Sequence, residues 1–353
     1  MAPSPQVTIC VPVYNGAEFV AQTLNSIARQ TYPEVRVIIS DDASTDGSAE
    51  QCRVIAQQHG FDLIVQPQRR GWLENCNALL ERARGDFVCI VPHDDVLDER
   101  YIAALAAHLT ATPACAQAFC DVQGFGSTRA VQTQSSLIGS PFDRLHQLIT
   151  RHFDGTPFRG LVRREALDRA GNLPGNAFDG FAADVNWVAR LAREGEIHRV
   201  PQALYAKRFH ARSTAHAWSL WAADDKRAAW ADHCGDLLGV ALELELTTAE
   251  RWLIAHAACR RLIMANDQPA TYAKIRNLPT ARKVEMVDAL LDRFGAYFLA
   301  EGTSPVERRR IAAVMIDTLT AANAPDPDTV LTPRTLANLA RFLRKKPQNL
   351  KPR

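Results

Sequence analysis

The sequence predicts an α/β fold, with a mainly parallel sheet covered by helices on both faces, followed by an all-helical C-terminal region. Three observations carry this expectation. Over roughly the first hundred residues, short Val/Ile-rich runs alternate with helix-period segments, which is the pattern of βαβ units with right-handed crossovers. Several of the strand-like runs end on Asn or Asp. After about Ala217 the strand patterns cease and capped helical segments take over.

The elements follow in order. VTICVPVY, from Val7, reads as a buried strand, and AEFVAQTLNSIARQ as the helix behind it. VRVIISDD is the second strand, followed by a helix from about Ser44 that Gly60 terminates. FDLIVQP, the helix LENCNALLERAR closed by Gly85, and DFVCIVP complete the first half. GFGSTRAVQTQSSLIGSP is polar and glycine-rich, a loop or short hairpin. GLVRREALDRAGNLPG reads as a strand, a short helix and a turn, and AADVNWVARLAREG as an amphipathic helix stopped by Gly195. IHRVPQALYAKRF returns as a strand. Thr247 with Glu250, and Ser304 with Pro305 and Glu307, open helices as capping boxes, and TPRTLANLARFLRKK repeats the Thr-Pro start. The expected division is residues 1–216, in two halves that meet at about 112, and a helical unit over 217–353.

In an open parallel sheet, ligands bind beyond the carboxyl ends of the strands. Asn15, Asp41, Asp42, Asp94 and Asp95 all fall at such ends, so the topology alone gathers them on one edge. Two acids and His93 behind a Val/Ile run make an oxygen-rich spot suited to a hard cation.

Composition narrows the classes. A formal net charge of +2 over 353 residues gives no electrostatic case for a nucleic-acid partner. The eight cysteines are scattered without a CxxC pair, and read as small core residues in a reducing compartment rather than as a zinc site. The first strand begins too early for a leader, and no run approaches the roughly 20 apolar residues of a membrane span. A cytoplasmic protein is expected. The basic tail RFLRKKPQNLKPR reads as a solvated terminus, with contact to an anionic membrane surface as the alternative. The amphipathic stripes of the helical region must cover either the first domain or another subunit, so a homo-oligomer is a further expectation.

VPVYNGAEFVAQTLNSI, ISDDASTDGS, RGWLENCNALLERARGDFVCIVPHDDVLDERYI, RGLVRREALDRAG and FAADVNWVARLAREGEIHRVPQALYAKRFHARSTAH stand in this order over residues 6–216. This series resembles the GT-A glycosyltransferases of family 2. The resemblance implies a nucleotide-diphosphate-sugar donor, a UDP-sugar first. It assigns Pro12, Tyr14, Asn15, Asp41, Asp42, Arg70 and Asp94 to the nucleotide-sugar side. At Asp41 and Asp42 the family hydrogen-bonds uracil or ribose; turn and cap chemistry is the plain alternative. Tyr14 is either a base platform or core.

The resemblance places Mn²⁺ or Mg²⁺ at Asp94, with His210 approaching it and Arg208 and Arg212 beside the leaving phosphate or in surface salt bridges. The family pattern is Asp-X-Asp, and this chain has Pro92 where the first acid stands; His93 either compensates in part or is a strand-end polar residue. Asp95 follows as a further acid. Asp184 corresponds to the general base at the start of the acceptor helix, where the usual Glu-Asp is Ala183-Asp184; a helix-start acid facing the dipole is its plain reading. Trp187 reads as core. The acceptor hydroxyl, of a glycan, a lipid-linked or another molecule, is expected over residues 125–184. A catalytically degenerate GT-A module that binds nucleotide or a protein partner is the alternative from another class. A sugar nucleotidyltransferase would want a Gly- and Arg-rich loop after the first strand, which VPVYNGAEF does not supply.

Overall fold

The computed structural model describes residues 4–151, 155–264, 275–299 and 301–321. The basic tail and the Thr332-Pro333 helix start lie outside the described residues. The elements in chain order are β1 (Val7–Val13), α1 (Val20–Ala28), β2 (Val35–Asp41), α2 (Ser48–His59), β3 (Asp62–Val65), α3 (Trp72–Arg82), β4 (Phe87–Ile90), β5 (Val96–Leu97) and α4 (Tyr101–Ala111). Then come β6 (Cys115–Gly126), β7 (Val131–Gln132), α5 (Pro141–Arg151), β8 (Leu161–Arg163), α6 (Arg164–Ala170), α7 (Ala183–Glu194) and β9 (Glu196–Phe209). The helices α8 (Thr214–Ser219), α9 (Ala223–Leu242), α10 (Thr248–Met264), α11 (Thr280–Arg293), α12 (Gly295–Phe298) and α13 (Pro305–Ala321) follow.

One mixed sheet runs β3-β2-β1-β4-β8-β6-β9-β5, with β7 hairpinned onto β6. The first four strands are parallel, as the alternating pattern predicts. β8 enters antiparallel to both its neighbours, and β6 and β9 are parallel to each other. β8 and β9 were legible as strands, whereas β6, the longest strand but one, was not, and the insertion of all three beyond β4 is tertiary.

Alternate residues of one strand feed opposite faces. In β4, Phe87 and Cys89 face the layer made with α1, α2 and α4, whereas Val88 and Ile90 face α3 and α5–α7. The second layer does not stop at the sheet's own helices. Trp230, Leu237 and Leu238 of α9, Ile254 and Leu262 of α10, Leu290 of α11 and Met315 of α13 belong to the same buried cluster as Leu145, Leu191 and Trp187. Fully burying each such side chain contributes about 1.5–3 kcal/mol relative to exposure, so the helices after Ala217 are held by this shared core.

A polar chain crosses the same boundary. Asn186 of α7 accepts from His233 Nδ1 at 2.7 Å, and Arg261 Nη2 of α10 lies 3.1 Å from His233 Nε2. Asn186 Nδ2 donates to Asp236 at 3.1 Å, which in turn pairs with Arg293 of α11 at 2.8 Å. The capping boxes form as the sequence predicts: Glu250 accepts from Thr247 N and Oγ1 (2.8 and 2.6 Å), and Glu307 accepts from Ser304 N and Oγ (3.0 and 2.9 Å). α2 starts at Ser48 rather than near Ser44. The intervening residues are spent on a turn in which Asp41 accepts from Ser44 N at 3.0 Å and Asp46 from Ser48 N at 3.0 Å. Among the described residues no helix is long and apolar enough to cross a membrane.

Candidate active site

The turn after β4 and the end of β9 meet at the strand-end edge. Asp94 Oδ2 lies 2.8 Å from His210 Nε2, and both side chains are 16% exposed. Burial opposes ionisation of Asp94, but the His210 hydrogen bond and the nearby imidazoles outweigh it and hold the carboxyl below its ordinary range. One carboxylate oxygen and one imidazole nitrogen on a shared, partly open side are a donor set that fits Mn²⁺ or Mg²⁺, whose other positions phosphate oxygens and water can fill.

Asp95 does different work. It is 1% exposed and accepts from Tyr205 Oη at 2.8 Å, from Arg208 N at 2.9 Å and from Arg159 Nε at 3.3 Å. Those three donors come from β9 and the turn before β8, so Asp95 fastens the strand end that carries Asp94. Arg208 also donates from Nε to the Asp94 carbonyl at 3.0 Å, and its guanidinium lies 4.6 Å from the Phe19 ring centre and 4.3 Å from that of Phe125. Arg208 thus steadies the Asp94 backbone. Arg212 pairs with Glu18 at the surface, both being well exposed. His93 turns inward: its Nδ1 is 3.3 Å from the Pro12 carbonyl, and its ring fills the space where a Cβ on Gly16 would sit, 2.2 Å from His93 Cδ2. That close packing is why residue 16 is glycine.

At the ends of β1 and β2 the two acids also divide. Asp42 accepts from Arg70 N at 2.7 Å and Gly71 N at 2.9 Å, so both its oxygens hold the loop before α3. Asp41 is fully buried; Oδ2 accepts from Ser44 N, and Oδ1 has no hydrogen-bond partner. Such an orphan is costly unless something completes it. Asn15, at a left-handed φ of 45°, receives from Thr45 N through Oδ1 at 2.9 Å and donates its own N–H to Ser44 Oγ at 2.9 Å. It ties the β1 end to the β2–α2 turn. Tyr14 is half-buried, with the Arg69 guanidinium 4.3 Å over its ring. The Arg70 side chain points to Glu74, 3.9 Å away.

Asp184 occupies the first turn of α7, after a left-handed Ala182 at φ 54°. Its carboxylate lies against Gly155, where a Cβ would come within 2.0 Å of Oδ2, so a larger residue at 155 would displace the carboxylate. Arg159 links the two acidic positions: burial opposes its charge, but Asp95, Tyr205 and Asp184 together raise its pKa above the ordinary value. Trp187 is core, 1% exposed, with its Nε1 donating to the Gly171 carbonyl at 2.9 Å.

Residues 8–171 match the family described as glycosyl transferase family 2. This part of the chain is a family 2 glycosyltransferase domain, on the GT-A fold. GlyG of Streptococcus pneumoniae serotype 4, named a glycosyltransferase, is 29% identical over 103 residues, covering 29% of this chain and 34% of that protein. The chain spans half or less of the first curated relatives it matches. Among solved structures, Staphylococcus aureus TarS 1–349 in complex with UDP-GlcNAc gives a TM-score of 0.63 at 16% identity, covering 90% of this chain and 91% of that one. Coverage that wide must include helices after Ala217, so the likeness of fold runs beyond the sheet domain. The mannosyltransferase PcManGT of Pyrobaculum calidifontis, solved with GDP-Man and Mn²⁺, gives 0.51 at 21% identity over 96% of this chain and 86% of that one.

Around the candidate site, sequence reasoning missed Arg159, Tyr205, Phe19 and Gly155. Arg159 sits 64 positions from Asp95, and no local pattern marks it. Gly155 carried one usable signal, as a glycine between apolar segments in the expected acceptor half.

Proposed function

We propose that the protein is an inverting glycosyltransferase that moves a sugar from a nucleoside-diphosphate donor, a UDP-sugar first, to an acceptor hydroxyl. The observation that carries this reading is the Asp94–His210 pair at the strand-end edge, 2.8 Å apart and partly exposed. The unpartnered Asp41 Oδ1 on the same edge supports it, because an N–H of a base or a ribose hydroxyl would complete that oxygen. The nucleotide sugars bound by TarS and PcManGT agree with such a donor, and Mn²⁺ in PcManGT agrees with a divalent ion. The eight cysteines, all free and buried, support a reducing, cytoplasmic setting.

In this mechanism Asp41 orients the nucleoside, and Asp94 with His210 would hold the divalent ion. When bound, that ion offsets the charge gathering on the leaving diphosphate. Asp184 takes the proton of the acceptor hydroxyl as its oxygen attacks the anomeric carbon from the face opposite the leaving group. The C–O bond to phosphate breaks, the nucleoside diphosphate departs, and the configuration inverts. Asp95, Arg159 and Arg208 keep these groups in place, and the acceptor lies over residues 125–184.

Pro92, where the family carries an acid, favours one competing reading, a module that binds nucleotide without turnover. Donor hydrolysis and transfer across UDP-, GDP- and dTDP-sugars, with and without Mn²⁺, decides between them. Metal-stimulated turnover that Asp94→Ala abolishes is the expected outcome. Nucleotide binding without turnover of any donor would establish the binding module instead, and full Asp94→Ala activity in excess chelator would remove the metal assignment.

A further inference from the structure

A second cluster of ligating side chains lies at the opposite edge of the sheet. His108 is in the last turn of α4, Cys115 opens β6, and His198 is the third residue of β9. His198 precedes His210 by twelve positions along and just past β9, on the order of 40 Å of extended chain. His108 Nε2 and His198 Nδ1 are 3.0 Å apart, and with Cys115 Sγ the three atoms all lie within 4.8 Å of one another. The far nitrogen of His198, Nε2, meets Glu196 Oε2 at 2.9 Å, and Glu196 is itself fixed by Gly139 N at 3.1 Å.

We propose that His108, Cys115 and His198 form a zinc-class metal site, separate from the catalytic edge, that pins the end of α4 to the starts of β6 and β9. The donor set is two imidazoles and one thiol, which selects Zn²⁺ over the oxygen-seeking Mg²⁺ and Mn²⁺. A tetrahedral zinc ion with ordinary Zn–N and Zn–S bonds holds its ligand atoms roughly 3.3–3.6 Å apart. The cluster therefore reaches that geometry by small side-chain movements.

Glu196 supplies the outer partner typical of metal-bound histidine: by accepting a hydrogen bond from His198 Nε2–H, it turns the Nδ1 lone pair toward His108 and Cys115. Without metal, one proton must lie between the two facing nitrogens; binding replaces it. The Cys115 thiol donates to the Gln117 carbonyl at 3.0 Å, and a thiol binds metal as the thiolate, so metal binding displaces that proton. Both imidazoles are half-buried rather than sealed, which leaves the fourth position to water. The sequence gives no warning because the ligands come from three elements with no regular spacing.

The test is a Co²⁺ titration of the tag-free, full-length protein. A thiolate-to-Co²⁺ charge-transfer band should saturate at one equivalent and bleach on adding Zn²⁺. Cys115→Ser should abolish it, Glu196→Gln should weaken Co²⁺ binding by roughly 10-fold, and Asp94→Asn should leave it intact. Zn²⁺ should also raise the thermal midpoint of the wild type by several degrees and leave that of Cys115→Ser unmoved. If Cys115→Ser does not fold, His198→Asn must show the same loss of band and of zinc stabilisation. No band at equimolar Co²⁺, a band that survives Cys115→Ser, or one lost in Asp94→Asn overturns the proposal.

Discussion

The strand-end edge and the helical region both bury polar groups, but they satisfy them in opposite ways. At the edge, Asp42 and Asp95 spend their oxygens on backbone amides, a tyrosine hydroxyl and Arg159, while Asp41 leaves one buried oxygen unpartnered and Asp94 stays partly exposed beside His210. Each acid pair is thus one anchor and one presented group. In the helices, Asn186, His233, Asp236 and Arg293 close on one another across α7, α9 and α11, with Arg261 of α10 joining through His233. The first arrangement prepares positions for an incoming ligand. The second orients helix against helix, and it reaches α7 two residues after Asp184.

The largest expected effect tests the anchor half of that contrast. Asp95→Ala would leave Arg159, whose side chain is 12% exposed, and the Tyr205 hydroxyl without their acceptor. Removing one partner of a buried ion pair costs about 3–5 kcal/mol. A urea midpoint close to wild type would mean that Asp95 is not what fastens the edge, and the anchor-and-presenter division would fail there.

The second prediction concerns the helices. Burial, with the Arg260 and His146 charges, lowers His256 from 6.5 to about 4, and burial with the Arg261 charge takes His233 well below its ordinary value. Folding therefore holds these rings neutral. Their contribution is fully present above about pH 6.5 and is lost as the pH falls toward the folded values, because the unfolded chain binds the extra protons. For His256 alone the loss across that window is on the order of 3 kcal/mol. His256 Nε2 has no partner among the described residues, so His256→Leu keeps the bulk and removes the proton site. Urea midpoints measured from pH 7.5 to 4.5 should fall less steeply in His256→Leu than in the wild type. Equal slopes would place the acid sensitivity outside this part of the helical region.

These two tests also mark what could be read from the residues. The β1-α1-β2-α2-β3-α3-β4 series was legible because each period is local, and the strand-end position of Asp41 and Asp94 followed from topology. Which acid of each pair is the anchor was not legible. Asp95 is chosen by Tyr205 and Arg159, 110 and 64 positions away, and Asp42 by amides of a loop 28 and 29 positions on. The capping boxes at Thr247 and Ser304 were legible for the same local reason as the strands. The shared core of α9–α11 with α7 was not, since an apolar stripe declares that it needs a partner without naming one.

The third prediction separates presented groups from each other. Asp184→Asn retains the shape against Gly155 and loses proton acceptance, so sugar transfer should fall by about 10² or more. Binding of nucleotide, measured by calorimetry with Mn²⁺, should change little, whereas Asp94→Asn should weaken it. Wild-type transfer by Asp184→Asn would reduce that residue to a helix-start acid and move the search for a base to Asp179, since Asp95 is buried and its oxygens are already engaged.

The smallest effect asks whether the helical region owes its stability to local caps or to the shared core. Thr247 and Glu250 exchange bonds at the start of α10, where Thr247 Oγ1 receives from Glu250 N at 3.3 Å and the carboxylate returns to Thr247 N at 2.8 Å. These contacts are exposed, and a Thr-to-Ala change at such a cap costs typically about 1 kcal/mol. Trp230 of α9 lies instead in the core at 1% exposure, and truncating a residue of that kind costs about 3–5 kcal/mol. Thr247→Ala should therefore shift the denaturation midpoint slightly, in one cooperative transition, and Trp230→Ala should shift it severalfold further. Should Thr247→Ala instead split the unfolding into two transitions, α10 would be held chiefly by its cap. The helices would then fold as a unit apart from the sheet, against the continuous core that joins Leu262 to Leu145.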